Sequence, residues 1–347
     1  MQAQTTARRP TARPSIVLAR PLDHVVILVK ENHTFDNYFG TFPGANGTTL
    51  PRSPNPPPSD PPHTHAAWLT RSTTSVRAQF VEADIPSYFA YARRFTLCDN
   101  YYTEVAGPST PNHLMLVCAD AQMIDNPPRH NPPAIRFATS LPKSLEAAGL
   151  SWRSYGGYAI DYMSGVNPSW KLTSDRFRTD AAAGQLPSVS WVYAPLAFDE
   201  HPPYRNPQGV SMGNVTQGMQ WTVDQVNAVV QGGLWSRTAI FITWDDWGGW
   251  FDHVTPPEVE VWNGNGTHPA YNGTQFRYGS RVPCLVLSPF ARAGYVSKVL
   301  HSHVSLLKFC EGLFGLRSLN ARDAAADDFS DCFDFAGSPA PPPPSKP

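Results

Sequence analysis

Two groups of oxygen-bearing side chains follow apolar runs that look like buried strands. Glu31 and Asn32, with Asp36 just beyond, close the strand in "VILVKENHTFDNYFG" (26–40), and Asp245 and Asp246 close the one in "FITWDDWGGWFDHV". Adjacent carboxylates repel and need a cation or a helix terminus to offset their charge. An isolated Asp-Asp is adequately explained as a solvated turn with an Asp cap. Two such groups ending two core strands make that account weaker. Glu, Asn and two Asp form an oxygen-rich set that suits a hard or borderline divalent ion such as Ca, Mg or Mn, with Zn or Fe also compatible.

A third element is "EVAGPSTPNHLMLVCAD" (104–120), where a Gly-Pro turn delivers Ser109 and Thr110 and Pro111 falls in the first turn of a predicted helix. Ser109 there reads in two ways. It is either an N-cap accepting a backbone N–H, or a hydroxyl that a neighbouring metal deprotonates while free helix N–H groups accommodate a phosphate. Histidines supply a fourth element: His63 and His65 in "DPPHTH", His201 in "FDEHPPY", His253 in "FDHVTPP", and His301 and His303 in "HSHVS". A lone His beside proline is usually structural. Several in proline-stiffened loops around one cleft suit acid/base work or phosphate binding.

The elements that must position these residues alternate. HVVILV (24–29), SVSWVYA (188–194), TAIFITW (238–244) and VPCLVLSPF (282–290) are short, continuous and β-branched, as in strands buried on both faces of a mainly parallel sheet. Between them, PKSLEAAG (142–149), MQWTVDQVNAVVQGG (219–233) and HVSLLKFCEGLFG (303–315) have helical spacing. The alternation predicts an α/β three-layer sandwich with helices on both faces, where ligands bind beyond the carboxyl ends of the strands. A single domain over 21–335 is expected, with a disordered lead at 1–20 and a proline-rich disordered tail at 336–347. The proline-dense "PRSPNPPPSDPPHTH" (51–65) reads as a long loop that covers something.

Composition narrows the function classes. Of 347 residues, 41% are hydrophobic and 16% charged, and 27 Lys and Arg against 28 Asp and Glu give a formal charge of -1. That balance offers no electrostatic case for nucleic acid. No stretch approaches the ~18 apolar residues of a membrane span, so no transmembrane segment is expected. Five cysteines (Cys98, Cys118, Cys284, Cys310, Cys332) lack zinc-type spacing and read as buried thiols, with one disulfide, Cys98 to Cys118 or Cys310 to Cys332, open if the protein is exported. The N-terminus lacks a signal-peptide run. The expected address is therefore secreted or periplasmic if a signal was removed, and cytoplasmic otherwise.

Taken together, "KENHTFDNYFG", "GPSTPNHL", "DEHPPY", "ITWDDWGGWFDHVTPP" and "HSHVSLLKFCEGLFGL" resemble, in order and over roughly residues 22–316, the bacterial phosphoesterase family of phospholipases C and acid phosphatases, within the alkaline phosphatase-like superfold. The resemblance implies one divalent metal ion held by Glu31, Asn32, Asp245 and Asp246. It implies Ser109 as the metal-coordinated nucleophile that forms a phosphoserine, and His201 and His63 as contacts to the phosphoryl group or the leaving group. His253, in a matching motif, is also expected among the catalytic residues, and His303 lies in a matching motif without an assigned role. Ser stands at the nucleophile position where phospholipase-type members often have Thr, and Ser302 stands where relatives often show Asp. The implied substrate is a phosphate ester, a phospholipid head group ahead of a small phosphomonoester. Trp244, Trp247, Trp250, Phe251 and Tyr38 either hold a choline head group by cation–π contact or pack the core. A sulfatase lacks support, since neither Cys98 nor Cys118 has the Cys-x-Pro-x-Arg setting. The reading from another class is a non-catalytic metal- or ligand-binding protein on the same scaffold.

Overall fold

The first apolar run of the sequence folds as the strand His24–Lys30, buried after its first residue. In this computed structural model, which describes residues 21–127, 136–258, 260–261 and 275–344, that strand lies inside an eight-stranded sheet. Across the sheet the order is Tyr295–Ser297, Thr96–Cys98, Cys284–Leu287, Thr238–Trp244, His24–Lys30, Val189–Tyr193, Trp152–Tyr155 and Lys171–Leu172. Every pairing is parallel except those made by Cys284–Leu287, which runs antiparallel to both neighbours. All four strands expected from the apolar runs are present. The antiparallel one is as apolar as the rest, because burial on both faces sets composition and leaves direction to the connections.

Helices flank the sheet in two packed groups. Ser109–Cys118, Leu141–Ala147 and His303–Phe314 form one; Pro86–Arg94, Asp175–Ala182 and Val215–Gln231 form the other. One hydrophobic core extends from Leu22 to Phe333. It contains most of the large side chains of the central strands, whose burial is the main favourable term in folding.

Register places the chemistry. Lys30 pairs with Trp244, and Val29 with Tyr193, so three parallel strands end level with one another. The Asp245 amide then donates to Lys30 O at 3.0 Å, and the Glu31 amide to Asp199 O at 2.8 Å. The three segments leaving the sheet are thereby stitched together at its carboxyl edge.

The proline-dense stretch at 51–64 runs as a loop without strands and lies over this edge, as its composition suggests. The Gly248–Gly249 bend beneath it requires glycine at both positions. A Cβ on Gly249 (φ +75) would meet Pro61 Cβ at 2.6 Å, and one on Gly248 (φ +58) would meet Asn32 O at 2.3 Å. The lead at 1–20 lies outside the described residues. The described part of the C-terminal stretch is anchored where a disordered tail was expected: Trp235 Nε1 donates to Ala340 O at 3.0 Å, and Arg94 donates to the carbonyls of Pro341 and Pro342. All five cysteines are buried free thiols, so neither suggested disulfide forms. Cys98 Sγ lies 3.8 Å from Cys332 Sγ, and Cys98 also pairs with Cys284 across the sheet.

Candidate active site

Ser109 is the first residue of the helix Ser109–Cys118, and Asn112 holds the turn that presents it. Asn112 Nδ2 donates to the carbonyls of Val105, Gly107 and Pro108 at 3.1, 3.4 and 3.1 Å, while its Oδ1 accepts from Val105 N at 2.9 Å. Ser109 is not the N-cap. That position is Pro108, and the Ser109 hydroxyl instead donates to Asp246 Oδ2 at 3.0 Å, with Glu31 Oε2 at 3.4 Å. The free helix N–H expected next to it is also taken, since Thr110 N donates to Asn126 Oδ1 at 2.8 Å.

Asn32 adopts a left-handed backbone (φ +64), an uncommon conformation for a non-glycine residue that is typical of functional turns. Its amide N–H donates to Asp245 Oδ1 at 3.1 Å. Its side chain is placed tellingly. Oδ1 lies 3.0 Å from Glu31 Oε2 and 3.1 Å from Asp245 Oδ1, while Nδ2 lies 3.3 Å from His63 Nε2 and 3.0 Å from His201 Nε2. Each histidine spends its Nδ1–H on a backbone carbonyl, His63 on Pro61 O at 2.8 Å and His201 on Pro202 O at 2.7 Å. With both Nε2 atoms unprotonated, Asn32 Nδ2 donates to His63 Nε2 and faces His201 Nε2. The opposite amide orientation, with nitrogen toward Glu31 and Asp245, requires both rings to carry a proton on Nε2. Asn32 Oδ1 is left facing two carboxylate oxygens with no proton between them, an arrangement that a cation among them makes favourable. The donor set, all oxygen and anionic, fits a divalent ion.

The carboxylates differ in their surroundings. Asp246 is fully buried, and burial together with adjacent Asp245 pushes its carboxyl well above the usual range. Burial acts the same way on Asp245, but His113 outweighs it and holds the Asp245 carboxyl below the usual range. His113 Nε2 lies 3.1 Å from Asp245 Oδ2 and 3.4 Å from Glu31 Oε1. Burial opposes the His113 charge, yet these two acids push it up to about 10. The ring is sandwiched between Tyr158 and Tyr193, at 5.0 and 5.2 Å between centroids.

Above this floor opens a cavity of about 380 Å³ lined by Glu31, Asp60, His63, Ser109, Asn126, Tyr158, His201 and Tyr204. His63 and His201 enter from opposite loops, their rings 5.8 Å apart. Asp60 Oδ1 lies 3.4 Å from His63 Nδ1. Beneath His201, Glu200 (φ +78) is a buried hub that accepts from Tyr38 Oη and Tyr88 Oη at 2.7 Å each and from Trp244 Nε1 at 3.0 Å. Lys30 Nζ sits 3.2 Å from its Oε1.

Ser109, Glu31, Asn32, Asp245, Asp246, His63 and His201 are thus brought together. His253 is not. It lies beyond the Gly248–Gly249 bend, where its Nδ1 meets Asp36 Oδ2 at 2.6 Å, inside an ion-pair network of Asp36, Asp252 and buried Arg281. His303 lies behind the carboxylates: Tyr101 Oη donates to its Nδ1 at 2.8 Å, and its Nε2–H donates to Asp245 O at 2.7 Å. His65 braces the loop before Ser109, with Nδ1 donating to Ala106 O at 2.6 Å. Tyr38, Trp244, Trp247 and Trp250 are buried packing residues, and neither they nor Phe251 line the cavity, so its aromatic walls are Tyr158 and Tyr204. The residues the motifs did not point to are His113, Glu200, Asp60, Asn126 and these two tyrosines. His113 had a legible signal, because four residues after Ser109 on a helix is the same face.

Comparison with known proteins follows the same lines. The family model described as "Phosphoesterase family" matches residues 22–60 and 62–317. The chain is 28% identical to non-hemolytic phospholipase C of Pseudomonas aeruginosa, over 91% of this chain and 58% of that protein. It is 27% identical to phospholipase C B of Mycobacterium tuberculosis, over 94% of this chain and 80% of that one. The chain therefore spans less than two thirds of the Pseudomonas relative's length. Among solved structures it is similar to murine ectonucleotide pyrophosphatase/phosphodiesterase 5 (TM-score 0.51, 10% identity, 90% of this chain and all of that one) and to the PsFucS1 sulfatase of Pseudoalteromonas sp. (TM-score 0.51, 11% identity, 92% and 73%). These likenesses concern the fold, a mixed α/β sandwich with a large, mainly parallel central sheet flanked by helices. Matched over residues 22–60 and 62–317, the chain belongs to the Phosphoesterase family.

Proposed function

We propose that this protein hydrolyses phosphoric esters by way of Ser109, with phospholipase C-type diesters as its substrates. One observation carries the reading: the Ser109 hydroxyl, Glu31 Oε2 and Asn32 Oδ1 converge at the cavity floor, and His63 and His201, which line the same cavity, bring their Nε2 atoms to the other end of the Asn32 amide. A divalent ion held by Glu31, Asn32, Asp245, Asp246 and Ser109 supplies Lewis acidity and lowers the pKa of the serine hydroxyl when bound.

The chain's own groups do the remaining work. Asp246 orients Ser109 Oγ through the 3.0 Å hydrogen bond, and His113 fixes Asp245 and Glu31. Ser109 gives its proton to Asp246 Oδ2 and its Oγ attacks phosphorus in line, forming a phosphoserine. The expelled alkoxide takes its proton from Nε2 of His201 or His63, which acts here as an imidazolium with its Nδ1–H still on the backbone carbonyl. Water then cleaves the phosphoserine. Positioning and charge stabilisation dominate such reactions, because the bond chemistry asks little of the protein.

The choice of a diester rests on charge. No Lys or Arg is among the described residues lining the cavity, whereas Glu31 and Asp60 are. A dianionic monoester gains less there than a monoanionic diester whose cationic head group faces the acids and the tyrosine rings. The phospholipase C names of the bacterial relatives point the same way. The test is hydrolysis of p-nitrophenylphosphorylcholine and p-nitrophenyl phosphate side by side, with and without chelator. Chelator-sensitive cleavage that favours the choline diester supports the proposal. Preference for the monoester makes the protein an acid phosphatase-type enzyme. No cleavage of either, with any added metal, makes it a binding protein on this scaffold.

A further inference from the structure

We infer that Cys98, Cys332, His301 and Asp331 form a second metal site, selective for a thiolate-seeking divalent ion such as zinc, that pins the C-terminal turn to the edge of the sheet. These residues are scattered over the sequence in no zinc-type spacing, and the fold gathers them. Cys98 ends the strand Thr96–Cys98, His301 lies in the short strand His301–Ser302, and Asp331 and Cys332 belong to the 3-10 turn Ser330–Cys332.

The distances are those of ligands rather than of a disulfide. Tetrahedral zinc with bonds of about 2.3 Å to sulfur and about 2.0–2.1 Å to nitrogen or oxygen separates two sulfurs by about 3.8 Å, sulfur from N or O by about 3.6 Å, and N from O by about 3.3 Å. Here Cys98 Sγ to Cys332 Sγ is 3.8 Å, Cys332 Sγ to His301 Nε2 is 3.8 Å, Cys332 Sγ to Asp331 Oδ1 is 3.4 Å and His301 Nε2 to Asp331 Oδ1 is 3.4 Å. The ligand atoms of Cys98, His301 and Cys332 all lie within 4.8 Å of one another, while Asp331 Oδ1 reaches two of the three, His301 and Cys332.

Orientation supports the same reading. A ligating histidine usually donates its other ring N–H to a carboxylate, which fixes its tautomer. His301 Nδ1 lies 2.8 Å from Asp327 Oδ1, close enough for a carboxylate partner although not aligned as a hydrogen bond, and Nε2 faces Cys332 Sγ. The ring is held flat against Phe329 (4.3 Å, 10°), itself in a left-handed conformation at φ +58. Ser297 Oγ also approaches Nε2, at 3.0 Å, and donates to Asp331 Oδ2 at 2.5 Å; ligation replaces the first of these contacts and leaves the second. The thiols and the ring are buried while Asp331 is 21% exposed, which gives an ion its route in.

Cobalt(II) separates this site from the oxygen-lined one, because only thiolate ligands give intense near-ultraviolet charge transfer. Reduced, chelator-dialysed wild type titrated with cobalt(II) is expected to develop that absorption, with tetrahedral visible bands, to one equivalent per chain. A chain with Glu31→Gln and Asp245→Asn should keep it, and Cys332→Ser should lose it. In wild type alone, zinc should slow alkylation of Cys98 and Cys332 at least tenfold and leave Cys310 unchanged, a readout that needs no variant to fold. Absence of the charge-transfer band in wild type, its survival in Cys332→Ser, or zinc-independent alkylation of both thiols overturns the site.

Discussion

Ser109 Oγ donates to Asp246 Oδ2 at 3.0 Å across 137 residues of sequence. That contact joins the start of a helix to the end of a central strand and gives the hydroxyl a direction. It also explains a buried acid that burial and its neighbour Asp245 push toward the neutral form, a placement that is unfavourable without a compensating charge.

Asp246→Asn separates these two consequences. The variant should lose several kcal/mol of transition-state stabilisation, roughly a thousandfold in kcat/KM. In chelator it should nonetheless gain on the order of 1 kcal/mol of stability, because a poorly solvated carboxylate is gone. Ester turnover and urea denaturation of the same preparation check both, and unchanged turnover rules out the role of Asp246.

His113→Gln leaves every proposed ligand in place but removes the group that fixes Glu31 and Asp245. Metal affinity or activity should fall about 10- to 100-fold, as for other partners that orient metal ligands. Calorimetric titration with metal beside steady-state kinetics reads the effect, and an unaltered affinity together with an unaltered rate would exclude it.

A pair of glycine substitutions tests the geometry. Gly248→Ala places a methyl 2.3 Å from Asn32 O, so the turn carrying Asp245 and Asp246 must shift, and kcat should drop about a hundredfold. Gly149→Ala (φ +71) meets no atom within 4 Å. It should cost about 1–2 kcal/mol of stability for its left-handed backbone and leave kcat alone. Equal kinetic effects from the two would argue against a precisely held Asn32.

Away from the site, burial and then Asp323 push Glu311 up to about 8 from an ordinary 4.5. The folded chain then binds more protons than the unfolded chain between those values. The stability from this group is full below about pH 4.5 and is lost as pH rises through about 8. Glu311→Gln should flatten that decline and raise stability above pH 8 by on the order of 2 kcal/mol, with turnover unchanged. Denaturant midpoints across this range measure it, and an identical pH slope in both proteins counts against the buried proton.

Much of the site was legible because it stands at strand ends. An apolar run followed at once by Glu31 and Asn32, or by Asp245 and Asp246, marks the carboxyl edge of a sheet without further help. The Gly-Pro turn marked Ser109 in the same way, although its two possible roles, cap or nucleophile, looked alike until Asp246 was seen to accept its proton. His253 misled because it shares a motif with Asp245, yet the left-handed Gly248 and Gly249 turn the chain away before it. Glu200 could not be read, since its partners Lys30, Tyr38, Tyr88 and Trp244 are set by tertiary packing alone. The direction of Cys284–Leu287 and the meeting of Cys98 with Cys332 were hidden for the same reason.

The most direct measurement is acid-quenched peptide mapping during turnover of p-nitrophenylphosphorylcholine. The account predicts a phosphoryl group on Ser109 in wild type, its absence when chelator is present, and a Ser109→Ala protein that folds but turns over at least a thousandfold more slowly. Full turnover by Ser109→Ala, with no phosphoserine at position 109 in wild type, would contradict it.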